Sequence, residues 1–169
     1  MRAKKITRLG LLTAIALTIF MLEAQIPPVV PIPGVKLGLS NIVTVFAVFA
    51  LGAGEGAAVL ACRVFLGAVF AGNFGSILYS AAGGLCAILT TIGLKRVLQP
   101  GQLWAAGVLG AIAHSIGQMA AAVAITRTPT VLIYLPVMIV ISIFTGLFTG
   151  LCAQFLVNHG GKLWKTILG

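Results

Sequence analysis

The chain has 169 residues, of which 60% are hydrophobic and only 8% charged, against about 25% charged in an ordinary soluble domain. So few charges cannot cover a water-facing surface. The net charge of +9 excludes a nucleic-acid binder by its distribution, because Lys and Arg stand in short caps between apolar runs instead of clustering on one soluble face. The only acids are Glu23 and Glu55, and Asp is absent, which removes most of the material for acid–base or divalent-metal chemistry.

Membrane-spanning helices need about 20 mainly apolar residues, and that ruler predicts an all-α polytopic membrane protein of about six transmembrane helices in one domain. The first span runs over residues 7–25. Its basic start resembles a signal peptide, but Leu22-Glu23-Ala24 is a poor cleavage site, so an uncleaved helix is expected. The segment Ile26-Pro27-Pro28-Val29-Val30-Pro31-Ile32-Pro33-Gly34 stops it, since proline removes backbone donors and restricts its predecessor.

The second span, 38–52, is short enough to be tilted or only partly inserted, and Gly52-Ala53-Gly54-Glu55-Gly56 follows it as a turn. The third covers 57–72 and is broken by Asn73-Phe74-Gly75. The fourth covers 76–94, ending at Lys95-Arg96 and Gln99-Pro100-Gly101. The fifth covers 103–125, broken by Thr126-Arg127-Thr128-Pro129, and the sixth covers 131–157. Arg2, Lys4, Lys5, Arg8, Lys95, Arg96, Lys162 and Lys165 then fall on one side. By the positive-inside rule that side is the cytoplasmic face of the cell membrane, with both termini on it.

Small residues recur at helical spacing, as in Gly10, Ala14 and Thr18, or Gly146 and Gly150. Such faces let helix backbones approach closely in lipid. Cys62, Cys86 and Cys152 lie within apolar runs without metal-ligand spacing and read as small buried core residues.

Charged groups within spans are costly, about 2.5–3.5 kcal/mol on insertion scales, and therefore mark candidate functional positions. Arg63 lies well inside the third span, Glu23 in the far part of the first, and His114 and Gln118 one turn apart on one face of the fifth. Two readings stay open for Arg63: a buried ion pair with Glu23, or a donor fork for an anionic or carbonyl-bearing ligand. His114 fits either packing or a ligand contact. Asn41 and Asn73 are helix caps or ligand groups, and Lys36 and Arg127 are loop charges that make the outer face positive.

Taken together, Ile32-Pro33-Gly34-Val35-Lys36-Leu37-Gly38-Leu39-Ser40-Asn41, Leu51-Gly52-Ala53-Gly54-Glu55-Gly56 and Arg63 resemble the Gx transporter family, also labelled heptaprenyl diphosphate synthase component I. That family is similar to the substrate-binding S components of energy-coupling-factor (ECF) transporters. The resemblance implies a six-helix bundle that binds a small solute near the outer side, with residues 26–39 as a lid. Arg63, Asn41, Asn73, His114, Gln118, Glu23 and Lys36 are then the substrate-binding candidates. It also implies docking of a coupling subunit on Gly10, Ala14 and Thr18, although Thr18 replaces the second Ala of the usual Ala-xxx-Ala.

No GxxxxGK[ST] phosphate loop is present, so any ATPase is another chain. The family label also names a synthase, but prenyl elongation holds Mg²⁺ on carboxylates, and a chain without Asp is expected to have no catalytic residues, metal or cofactor of its own. The expected function is an S-component-like subunit taking up a small, largely apolar or anionic solute. The alternative is a non-catalytic membrane partner of isoprenoid or quinone biosynthesis, and a purely structural bundle is a third reading.

Overall fold

The computed structural model describes residues 2–27 and 36–160. Most of the expected lid, 28–35, and the basic tail with Lys162 and Lys165 lie outside the described residues. Those described form α1 (Arg2–Glu23), α2 (Asn41–Ala50), α3 (Ala53–Ala71), α4 (Ser76–Lys95), α5 (Leu103–Thr126) and α6 (Leu135–His159). Short 3₁₀ segments at Pro100–Gln102 and Pro129–Tyr134 precede α5 and α6.

Five of the helices are long and apolar enough to cross a membrane, and α2 is not. Ten residues span about 15 Å of the roughly 30 Å hydrocarbon thickness. The second span is therefore only partly helical, with residues 38–40 entering the bundle as turn and coil. The long helices pack in the order α1, α3, α4, α5, α6, and α2 touches all five. Seven of its ten residues are buried, which makes it the central pillar. Leu12, Ala16, Val43, Phe46, Ala47, Val59 and Ala153 form the core around it.

Two other boundaries differ from the sequence reading. Residues 53–56 are the first turn of α3 and not a loop, and Glu55 there favours the positive end of the helix dipole. Gly52, at φ +134°, makes the break alone. The sixth α-helix starts at Leu135 because Pro136 in a longer helix would clash with the carbonyl of Leu132.

Three contacts align the helix ends. Lys5 Nζ pairs with Glu55 Oε1 at 2.7 Å, Lys95 Nζ donates to the Val48 carbonyl at 2.6 Å, and the Trp104 N–H reaches Gln154 Oε1 at 3.4 Å. The starts of α1, α3 and α5 and the ends of α2, α4 and α6 thus share one basic end.

Between α5 and α6 the backbones nearly touch. A Cβ on Gly107 would collide with the Gly146 carbonyl and Gly150 Cα, and one on Gly150 would lie 2.7 Å from Trp104 Cα. The Gly146 and Gly150 spacing is thus used for intramolecular packing. Ser115 and Ser142 add a 2.6 Å hydroxyl contact across the same interface. By contrast, Gly10, Ala14 and Thr18 all face outward, and nothing lies within 4 Å of a Cβ built on Gly10. The cysteines are free, but Cys62 is exposed and Cys86 and Cys152 half-buried, so they are not the core residues expected.

Candidate functional site

The polar residues that sequence reasoning picks from four separate spans largely converge inside the bundle. Arg63 is the eleventh residue of the 19-residue α3, about 15 Å along the axis from its start, and α2 begins at a similar depth. Only 2% of Arg63 is exposed. Its Nη1 donates to Ser40 Oγ at 2.6 Å, while among the described residues Nε and Nη2 have no partner. Asn41, next to Ser40 in the chain, is 6% exposed, and neither its Nδ2 nor its Oδ1 is hydrogen-bonded among the described residues. One turn further, the buried Thr44 hydroxyl is also unpartnered.

Glu23 closes α1 from the opposite end. Its carboxylate accepts the Gly38 N–H at 2.6 Å and the Leu39 N–H at 2.9 Å. Among the described residues Glu23 and Arg63 form no direct salt bridge; each instead holds one segment, residues 38–40. Gly38 sits at φ +81°, a left-handed conformation that a side chain would strain.

His114 and Gln118, both buried, come from α5. The imidazole is wedged between two glycine backbones: a Cβ on Gly38 would lie 3.1 Å from its Cδ2, and one on Gly83 2.9 Å from its Cε1. Gln118 Oε1 accepts the Lys36 N–H at 3.4 Å. The Lys36 ammonium lies 3.5 Å from the Phe20 ring centroid, and the Arg63 guanidinium 6.0 Å from it, both within cation–π range. Burial lowers the Lys36 pKa below the ordinary lysine range. The Glu23 carboxylate opposes that shift, and Arg63 adds to it.

Asn73 does not join the cluster. It is exposed in the α3–α4 turn, where its Oδ1 accepts the Ser76 N–H at 3.2 Å and starts α4. Ser40, Thr44, Phe20 and Gly83 are the residues that sequence reasoning missed. Phe20 stands three positions before Glu23, hence on the same helix face, and Ser40 directly precedes Asn41. Those were the available signals; for Gly83 there was none. Among the described residues no three His, Cys, Asp or Glu side chains converge.

Five long apolar helices around a short buried one, with a polar cluster sealed inside, define an all-α multi-pass membrane protein with an internal polar site. The chain belongs to the heptaprenyl diphosphate synthase component I family, whose model matches residues 12–156. It matches no curated protein and no solved structure.

Proposed function

We propose that this chain is the solute-binding membrane subunit of a transporter, an S-component-like protein that works with a separate coupling subunit and ATPases. The observation that carries the reading is Arg63: a guanidinium buried in an apolar bundle with two of its nitrogens unpartnered among the described residues, beside an equally unpartnered Asn41 amide. Leaving buried polar groups unpaired costs about 1–3 kcal/mol each, more when charged. A solute that supplies the missing partners recovers that energy on binding. Asn41, His114, Gln118, Glu23 and Lys36 complete the site around it, and the membrane lipid covers the outer faces.

The orientation follows from the charge map: the basic end faces the cytoplasm of the cell, and solute enters from the opposite end. The outward small face of α1, with Gly10, Ala14 and Thr18, is the surface offered to the coupling subunit. The test is native mass spectrometry of protein extracted gently from its membrane. A retained small molecule that is lost in Arg63→Ala but kept in Arg127→Ala, a change at an exposed residue outside the cluster, supports the assignment. Retention unaffected by Arg63→Ala moves the site to the loops.

The family description favours a second reading, a membrane partner of a polyprenyl diphosphate synthase. Catalysis then belongs to the other chain, since this one has no Asp to hold the metal ions of diphosphate chemistry. This reading requires deletion to change the length or amount of quinone side chains. An unchanged quinone profile, with a solute-uptake defect in its place, decides for the transporter.

A further inference from the structure

The unpartnered nitrogens of Arg63 are not an arbitrary pair. Nε–H and Nη2–H form the side-on edge of the guanidinium and point the same way, the geometry that matches two oxygens of one carboxylate or phosphate group. Nη1, which stands outside that edge, is the nitrogen bound by Ser40. The protein therefore fixes the guanidinium while leaving one complete fork free.

Charge in the cluster is equally specific. Arg63 and Lys36 contribute two cations and Glu23 one carboxylate, whose two oxygens are taken by the Gly38 and Leu39 N–H groups. One positive charge is left over, and of the two cations Arg63 is the one sealed from solvent while Lys36 is half-buried. A buried charge is tolerable only when it is paired. Beside it the Asn41 amide offers a free donor and a free acceptor, with the Thr44 hydroxyl on the same face of α2.

We infer that the solute is a monoanion whose two equivalent oxygens, as in a carboxylate or a phosphate diester, lie on the side-on edge of Arg63, with a neutral hydrogen-bonding group on Asn41. The inference rests on the solute-binding reading and deepens it. A phosphate monoester or a diphosphate carries more charge than the cluster can neutralise and is discriminated against. A neutral amide lacks the charge and one of the two oxygens.

The experiment measures binding to the full chain in lipid nanodiscs at neutral pH, with four small probes: benzoate, methyl phenyl phosphate, phenyl phosphate and benzamide. Benzoate or methyl phenyl phosphate is expected to bind about tenfold or more tightly than benzamide and phenyl phosphate, the ratio expected for one charged hydrogen bond. Which of the two monoanions prevails separates a carboxylate solute from a phosphodiester. Arg63→Lys keeps the charge but removes the fork, and is expected to weaken the preferred probe about tenfold. The probe series uses the unsubstituted chain, so it keeps its force where Arg63→Lys does not fold.

Equal binding of benzamide, or preference for phenyl phosphate, overturns the monoanion. Failure of both monoanions overturns it as well. In that case a neutral molecule retained in native mass spectrometry leaves solute binding standing, whereas no retained molecule and no probe binding removes both.

Discussion

Glu23→Gln tests how the polar segment is held in the bundle. The carboxylate receives two backbone N–H groups on two different oxygens, from Gly38 at 2.6 Å and Leu39 at 2.9 Å. Each such bond to a charged acceptor contributes about 1.5–3 kcal/mol. Glutamine keeps one oxygen, so one bond survives as a neutral one of about 1 kcal/mol, while the other N–H faces an amide NH₂ and goes unpaired. The net loss is about 2–4 kcal/mol, which for a chain of this length lowers the melting temperature by roughly 5–15 °C.

The more specific readout is amide exchange. A loss of 2 kcal/mol corresponds to about 30-fold faster local opening, confined to the peptide carrying Gly38 and Leu39. Lys36→Gln, which leaves the carboxylate and both N–H groups in place, is the control. A melting temperature within about 2 °C of the parent, together with unchanged exchange over residues 36–40, would show that the carboxylate does not anchor this segment.

Gly107→Leu places a side chain where the Gly146 carbonyl and Gly150 stand. Neither is a movable side-chain tip, so α5 and α6 must separate, at a cost of about 3 kcal/mol or more, read as loss of the monodisperse peak after detergent extraction. Lys95→Met removes the ammonium that caps the Val48 carbonyl. About 1 kcal/mol, or a fall of roughly 2–4 °C, is expected, and no change would show the cap to be idle.

The burial-lowered pKa of Lys36 gives two opposite pH trends. The folded chain binds this proton less readily than the unfolded one, so stability rises as pH climbs through the lowered value towards the ordinary 10.5. Anion affinity falls over the same window as the charge is lost. Lys36→Met should flatten both curves, and parallel trends in parent and variant would assign them to another group.

Hydrophobic run length revealed the long helices, because each span had to bury or expose a whole apolar cylinder, and the charge caps gave their alternation. Run length does not distinguish helix from coil at depth, so residues 38–40 count as span although only Asn41–Ala50 is helical. The candidate site was legible where energy is conspicuous: Arg63, Glu23, His114 and Gln118 are expensive residues in apolar surroundings. It was illegible where cost is hidden in shape. Gly83 matters through the space it leaves for His114 and Gln118, and Ser40 through a single hydroxyl. Asn73 misled because an Asn ending one helix and starting the next satisfies the same composition rule as a ligand group.

Non-helical backbone is tolerated at membrane depth only where it is buried in protein or lines a cavity, since lipid satisfies no N–H or C=O. Residues 38–40 meet that condition unevenly. The N–H groups of Lys36, Gly38 and Leu39 are matched to Gln118 and Glu23, and Ser40 is used to hold Arg63. The segment is thus provided with partners from α1, α3 and α5, yet the guanidinium and amide at its end are left with capacity to spare. A cluster serving only to seat α2 would be served better by apolar residues, which carry no desolvation cost. The distribution of partners is unequal: the Gly38 and Leu39 N–H groups have theirs, while among the described residues Arg63 and Asn41 keep unpaired donors, the pattern that the proposed site requires.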